Sequence, residues 1–299
     1  MKILITRHDK IGDFVTMLPL VQAIKKQTNY EIIMLISPIN IPLAKELGFI
    51  DGVIEYREDR KSLLQEIKSH KFDVSISGFI DTNLGKLLFL SRIPKRIAPA
   101  TKIAQIFFTK RVKQRRSRVE KREFEYNLDL IKALDNRLEI NFNIPLLKLD
   151  KKRENIVIFH IGFGGSSDGN LCFNEYLILA KRASVYSDVV FTFGPDDDKA
   201  KEYIKSNIDF NIRIKDNFRD IFEFTEFIAS SSLFISTSTG PMHLAGVTNT
   251  PTMSFFGDTI FASSSRWATI SDKSLQHNFN KPFDFDNIEK QLINFLKDN

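Results

Sequence analysis

Three stretches of this chain concentrate residue types that could do chemistry. The first is STSTGPMHLAGVTNTPTMSFFG, residues 236–257. An apolar run there delivers Ser238, Thr239 and Gly240 to a helix whose first position falls on Pro241, the way a capped helix begins. Such a start points unsatisfied N–H groups outward beside two hydroxyls, and a diphosphate fits there without a lysine. His243 falls one turn further on, able to face the same anion. An ordinary capped helix with a buried core histidine would carry the same residues, so both readings stand on the motif alone.

The second stretch is HIGFGGSSDGN, residues 160–170. Gly162, Gly164 and Gly165 permit close backbone approach, and the hydroxyls of Ser166 and Ser167 with the loop amides can donate to phosphate oxygens. The loop is neither the GxGxxG fingerprint nor a GK[ST] P-loop, which argues against a nicotinamide enzyme and against an ATPase. Two such loops in one half of the chain, each following a strand, support a nucleotide diphosphate site.

The third is RHDKIGDFVTMLPL, residues 7–20. Asp13 follows Gly12 at the start of a helix. A carboxylate there complements the helix dipole, and it could equally remove a proton from an acceptor hydroxyl. Arg7, His8 and Lys10 around it suit an anionic acceptor. A smaller feature, GPDDDKAKEYI from residue 194, opens another helix after a strand. Its aspartates serve as N-terminal helix charges, the preferred reading, or one of them, with Asp196 as the candidate, accepts hydrogen bonds from a ribose.

The elements that must hold these loops alternate in type. KILIT (2–6), EIIMLIS (31–37), GVIEY (52–56) and FDVSISG (72–78) read as strands, with helical spacing at 14–26, 41–48, 60–69 and about 83–90. An amphipathic helix is predicted at roughly 120–134. KLDKKREN (148–155) has no apolar periodicity and marks the domain boundary, giving domains 1–150 and 151–299. The second half restarts with strands at 155–162, 188–194, 211–214, 232–238 and 250–257, the last strong strand. Strands alternating with helices predict an α/β fold with parallel pairing. Each half opens with a strand that delivers a polar loop to a helix N-terminus, and two such halves facing each other would form a cleft.

Composition limits the alternatives. At 299 residues with 42% hydrophobic residues, the chain can bury two ordinary cores. No stretch approaches the roughly 18 consecutive apolar residues of a membrane span. The short apolar run before Arg7 is not a secretory signal, so a cytoplasmic location is expected. One cysteine, Cys172, excludes an intramolecular disulfide and a Cys-based zinc cluster, and five scattered His residues offer no metal-ligand spacing. The net charge is +6, yet KRVKQRRSRVEKR (110–122), with eight basic residues and one acidic, contributes +7 by itself. That segment, including Arg115, Arg116 and Arg118, suits an anionic partner: a nucleic acid, an anionic membrane surface or a phosphorylated glycolipid. A solvated loop would look the same.

In order and spacing, IGDFVTMLPL, HIGFGGSS and STGPMHLAG, with FDVSISG and GPDDDKAKEYI between them, resemble the heptosyltransferase family (glycosyltransferase family 9) over nearly the whole chain. The resemblance implies a GT-B fold, two Rossmann-like domains facing across a cleft. It implies an inverting, metal-independent transfer of a sugar, by default heptose from ADP-heptose, onto a lipopolysaccharide core or related glycolipid. It implies no cofactor beyond the nucleotide-sugar co-substrate. It carries the catalytic base onto Asp13 and the donor diphosphate motif onto Ser238, Thr239, Gly240 and His243, where the family commonly has Asp-Thr-Gly. Asn170 stands near the place of a family lysine. Arg7, Lys10, Arg115, Arg116 and Arg118 become acceptor-binding candidates, for a phosphorylated glycolipid met by peripheral contact at the inner face of the inner membrane. The rival readings are another nucleotide sugar on the same fold, a non-catalytic nucleotide or sugar sensor, and a nucleic-acid-binding protein that uses residues 110–122. The last lacks any recognised module or aromatic interleaving in the basic run.

Overall fold

The structure, a computed structural model, describes residues 1–162 and 169–298. The chain divides into two compact units, Met1–Leu146 and Leu147–Asn299.

In the first unit β1 (Lys2–Arg7), α1 (Ile11–Gln27), β2 (Glu31–Ile36), α2 (Ile41–Lys45), β3 (Gly52–Glu55), α3 (Arg60–Ser69), β4 (Val74–Ser77), α4 (Thr82–Leu90), β5 (Lys95–Pro99), β6 (Lys110–Val112), α5 (Glu123–Leu128) and α6 (Ile131–Leu134) follow one another. The six strands pair in parallel in the order β3-β2-β1-β4-β5-β6. β1 and β2 are largely apolar on both faces because both are covered, while β4 turns Ser75 and Ser77 to one of them. Leu4, Leu35 and Ile54 pack with Leu63, Ile67, Leu84 and Leu88 from α3 and α4. Alternate residues such as Ile3 and Ile5 point the other way and are equally buried.

The second unit repeats the plan with β7 (Ile156–His160), α7 (Phe173–Ala183), β8 (Asp188–Thr192), α8 (Asp198–Asn207), β9 (Arg213–Ile214), α9 (Ile221–Ala229), β10 (Leu233–Thr237), α10 (Gly240–Val247), β11 (Thr252–Phe256), α11 (Ser264–Trp267), β12 (Gln276–Asn280) and α12 (Phe285–Asp298). Its sheet is again parallel, in the order β12-β11-β10-β7-β8-β9. Read from the other edge, this is the strand order of the first unit. One face carries Phe159, Phe191, Ile235 and Phe255 against α7, α8 and α12. On the opposite face, register lines up Thr192, His160, Ser236, Ser254 and Asn278 across five neighbouring strands. Of these, Ser236 Oγ, Ser254 Oγ and Asn278 Oδ1 are buried without a hydrogen-bond partner among the described residues.

The structure corrects the sequence reading at several elements. The helix predicted at 120–134 is two short helices, α5 and α6, parted at residues 129–130. The basic segment is not simply a loop, since Lys110–Val112 forms an edge strand on β5. A polar strand, β12, follows the last strong strand. Among the described residues, no helix is long and apolar enough to cross a membrane.

Candidate functional site

In each unit the strand order reverses between the first strand and the fourth, so the loops leaving their C-terminal ends diverge and open a crevice, the usual ligand position in open parallel sheets. In the first unit these loops are residues 8–10 after β1 and 78–81 after β4. In the second they are the described residues 161–162 and 169–172 after β7, and 238–239 after β10.

The first crevice is built around a buried guanidinium. Arg7 ends β1 almost wholly covered, hydrogen-bonds Asp13 Oδ1 in the first turn of α1, and sets its Nε 2.9 Å from Asp9 Oδ1. Burial works against the Arg7 charge, but Asp13, Asp9 and Glu123 outweigh it and hold the proton more firmly than usual. Burial lifts the Asp9 carboxyl to about 6, with Arg7 pulling it down and Asp13 pushing it up. His8 turns aside, stacking on Tyr56 at 3.8 Å between ring centroids, with Nε2 3.5 Å from Asp81, the N-cap of α4. Burial lowers its pKa despite Asp81, which favours the neutral ring. Lys10, at the N-cap of α1, is exposed.

A further layer fixes Asp13 in place. Thr16 Oγ1 donates to the Asp13 carbonyl at 2.7 Å. Asn127 of α5 donates through Nδ2 to Thr16 O and Oγ1 at 3.0 and 3.1 Å, and accepts from Arg116 Nη2 at 3.2 Å. Arg116 also pairs with the buried Glu123. Gly78 keeps this junction open: a Cβ there would lie 2.6 Å from Met17 Sδ, 3.2 Å from Arg7 Nη1 and 3.3 Å from Asn127 Oδ1. Of the five basic residues expected to meet an acceptor, Arg7 and Arg116 are therefore matched internally, while Lys10, Arg115 and Arg118 are exposed. Asp9, Asn127 and Glu123 were not singled out by the sequence: Asn127 meets Thr16 from a distant segment, and Asp9 and Glu123 take their character from burial beside Arg7 and Arg116.

In the second unit two of the described residues after β7, Gly162 and Gly169, are each closely packed. Gly162 lies against the Asp197 carboxylate, which a Cβ would overlap, and Asp197 Oδ2 accepts from Gly194 N at 2.7 Å. Gly169 O accepts from Thr237 Oγ1 at 3.1 Å, two residues before the N-cap of α10. Gly169 thus lies beside the strand end that leads into α10. Thr239 is that N-cap, extended at φ −133°, and its side chain does not cap the helix. Gly240 and Pro241 open the first turn, Ser238 and Thr239 are partly buried, and His243 is buried with its ring edge-on to Trp267 at 6.3 Å. Asn170 Oδ1 is buried and unpartnered among the described residues. Asp196 is exposed; its neighbour Asp197 is the aspartate turned toward the loop. Gly164, Gly165, Ser166 and Ser167 lie outside the described residues. His160, at the end of β7, meets Thr192 Oγ1 through Nδ1 at 2.9 Å, and burial brings its pKa down to about 4 with Asp197 opposing. Among the described residues, no group of three or more His, Cys, Asp or Glu side chains is placed to hold a metal ion.

No family model matches the chain. A Haemophilus influenzae protein named "Putative glycosyltransferase" is 35% identical to it, over 91% of this chain and 86% of that protein. The chain belongs to a glycosyltransferase family. Its fold is GT-B, and solved structures agree: Escherichia coli ADP-heptose lipopolysaccharide heptosyltransferase II superposes with a TM-score of 0.80 at 15% identity, covering 100% of this glycosyltransferase and 99% of that chain. The Veillonella parvula glycosyl transferase family 9 structure gives 0.79 at 14% identity, over 100% and 97%. Escherichia coli heptosyltransferase WaaC with ADP gives 0.79 at 13%, over 99% and 100%.

Proposed function

We propose that this glycosyltransferase is an inverting enzyme that moves a sugar from a nucleotide diphosphate donor, by default heptose from ADP-heptose, onto a lipopolysaccharide core or related phosphorylated glycolipid. The observation that carries the reading is Asp13, a carboxylate oriented by Arg7 in the first turn of α1 at the crevice of the first unit. In the reaction Asp13 takes the proton of an acceptor hydroxyl. The hydroxyl oxygen forms a bond to the anomeric carbon as the carbon–oxygen bond to the diphosphate breaks on the opposite face, and the configuration inverts. The nucleoside diphosphate leaves with the bonding electron pair.

Charge building on that leaving group meets the start of α10, whose first turn opens at Gly240, a fixed dipole that needs no rearrangement during the step. Asp197 and Asn170 flank the loop after β7 and are the side chains available to a ribose or base. Arg266, stacked 4.8 Å over Trp267, whose ring is paired with His243, supplies a cation in place of the family lysine. No step calls for a metal ion. Lys10, Arg115 and Arg118 are the exposed cations for an anionic acceptor at the inner face of the membrane.

Thermal-shift screening against ADP-, UDP-, GDP- and CMP-sugars identifies the donor, and the ADP carried by one solved neighbour makes ADP-heptose the first to test. Asp13→Asn is expected to abolish transfer while leaving the nucleotide-induced shift nearly unchanged. Substantial turnover by that variant would remove Asp13 as the base.

A further inference from the structure

The first unit carries a surface that neither crevice uses. Ile103 and Ile106, on a 3-10 turn (Ile103–Phe107), are 83% and 67% exposed, and Phe89 and Leu90, at the end of α4, are 53% and 43% exposed. The two elements are in direct contact. The rings of Phe89 and Phe107 lie 6.1 Å apart, and Phe107 sits so close to Gly85 of α4 that a Cβ there would be 2.7 Å from Cδ2. The four exposed side chains therefore lie on one continuous ridge. Single exposed apolar residues are ordinary, but a cluster of bulky ones marks an interaction surface.

The chain segment that carries the ridge has charge of one sign. Between Thr82 and Val119 the sequence has eleven Lys and Arg residues and no Asp or Glu. Lys86 precedes Phe89 by one helical turn, Arg92 follows Leu90, and Lys102 precedes Ile103, all three exposed, while Arg96 lies over the Phe89 ring at 5.5 Å. We propose that this ridge docks the protein onto an anionic lipid bilayer, its aliphatic tips entering the boundary between headgroups and acyl chains and its basic rim meeting lipid phosphates. A single-stranded nucleic acid would need exposed aromatic faces to stack on, and Ile103 and Ile106 offer none. A second copy of the chain would set like charges against each other. The inference deepens the proposed function by naming the surface that meets the membrane holding a glycolipid acceptor. The lipid contact itself needs neither donor nor acceptor.

The test is flotation of the full chain with vesicles of phosphatidylcholine containing phosphatidylglycerol, beside vesicles of phosphatidylcholine alone. Binding is expected to the anionic vesicles, weakening by about fivefold for each rim charge removed, as in Lys102→Gln. The double variant Ile103→Asp with Ile106→Asp should lose at least about tenfold in binding, while Val185→Asp, an equally exposed site in the second unit, should bind as the unaltered protein does. Circular dichroism on each variant confirms that the fold is kept. No preference for anionic vesicles, or full binding by the double variant, overturns the proposal. Self-association that the double variant abolishes, without vesicle binding, assigns the ridge to a second copy instead. Transfer to a soluble acceptor fragment, measured alongside, keeps failure here distinct from failure of the proposed function.

Discussion

Arg7, the last residue of β1, hydrogen-bonds Asp13, in the first turn of the helix that follows, across five intervening residues. The bond closes the β1–α1 loop on itself and fixes the direction of the carboxylate. Because Arg7 is also paired with Asp9, removing its charge leaves two neighbouring carboxylates to repel each other in a largely covered site. Arg7→Met should lower stability by about 3 kcal/mol, and the double variant Arg7→Met with Asp9→Asn should recover part of that loss. Chemical unfolding of the four proteins gives the coupling directly. Simple additivity would mean the two residues do not interact.

Asp9 makes the first unit sensitive to pH. Its carboxyl lies at about 6 when folded against 3.8 as a free side chain, so the folded protein holds this proton more tightly than the unfolded chain. Its contribution to stability is whole below the unfolded value and is lost as pH rises toward about 6. Asp9→Asn, which cannot ionise, should gain in melting temperature relative to the unaltered protein across that interval and hold a constant advantage above it. A difference that does not change with pH would contradict the shift.

His160 titrates with the opposite sign. Held at about 4 against 6.5, it contributes stability that is complete above 6.5 and is lost as pH falls through about 4. Its imidazole resonances should keep the positions of a neutral ring down to near pH 5, and Thr192→Val, which removes the partner of Nδ1, should shift them without exposing the ring.

Space decides two glycines differently. At Gly169 an added Cβ would overlap the backbone of Phe256 and Gly257 at the end of β11, whereas at Gly48 it meets nothing within 4 Å. Gly169→Ala should cost about 1–3 kcal/mol and displace the loop beside α10, with weaker nucleotide binding as its second sign. Gly48→Ala should stabilise by about 0.5 kcal/mol through the unfolded chain. Equal effects at both sites would remove close packing as the cause.

The polar row in the second sheet offers a stabilising change. Ser254 Oγ is buried without a partner among the described residues, so Ser254→Ala removes an uncompensated polar group. Unfolding free energy should be unchanged or raised by up to about 1 kcal/mol. A clear loss would show that the hydroxyl is satisfied.

What was legible in the sequence follows burial. The strands around Ile3, Ile33 and Phe159 are covered on both faces, so they read as nearly unbroken apolar runs. β5 and β6 carry Lys95, Arg96, Lys110 and Arg111, and β12 reads QHNFN. Edge and near-edge strands tolerate polar side chains, and without an apolar run they look like loop. At the candidate site, Asp13 and the start of α10 showed themselves because helix starts have local chemistry. Asp197 did not stand out from Asp196 and Asp198, since three consecutive aspartates carry one local signal and only the turn at Gly194 selects among them. Asp9 gained its character from burial beside Arg7, which no spacing encodes.

The shared strand order has a bearing on how the chain folds as it is made. In each unit the central pair joins distant residues, Ile3 with Val74 and Val157 with Leu233, so neither sheet can close until its fourth strand exists. Yet each sheet draws on one uninterrupted stretch, and β6 ends at Val112, more than forty residues before β7 begins at Ile156. On the ribosome the first sheet can be complete before the second has started, so synthesis itself keeps two sheets of the same topology from exchanging strands.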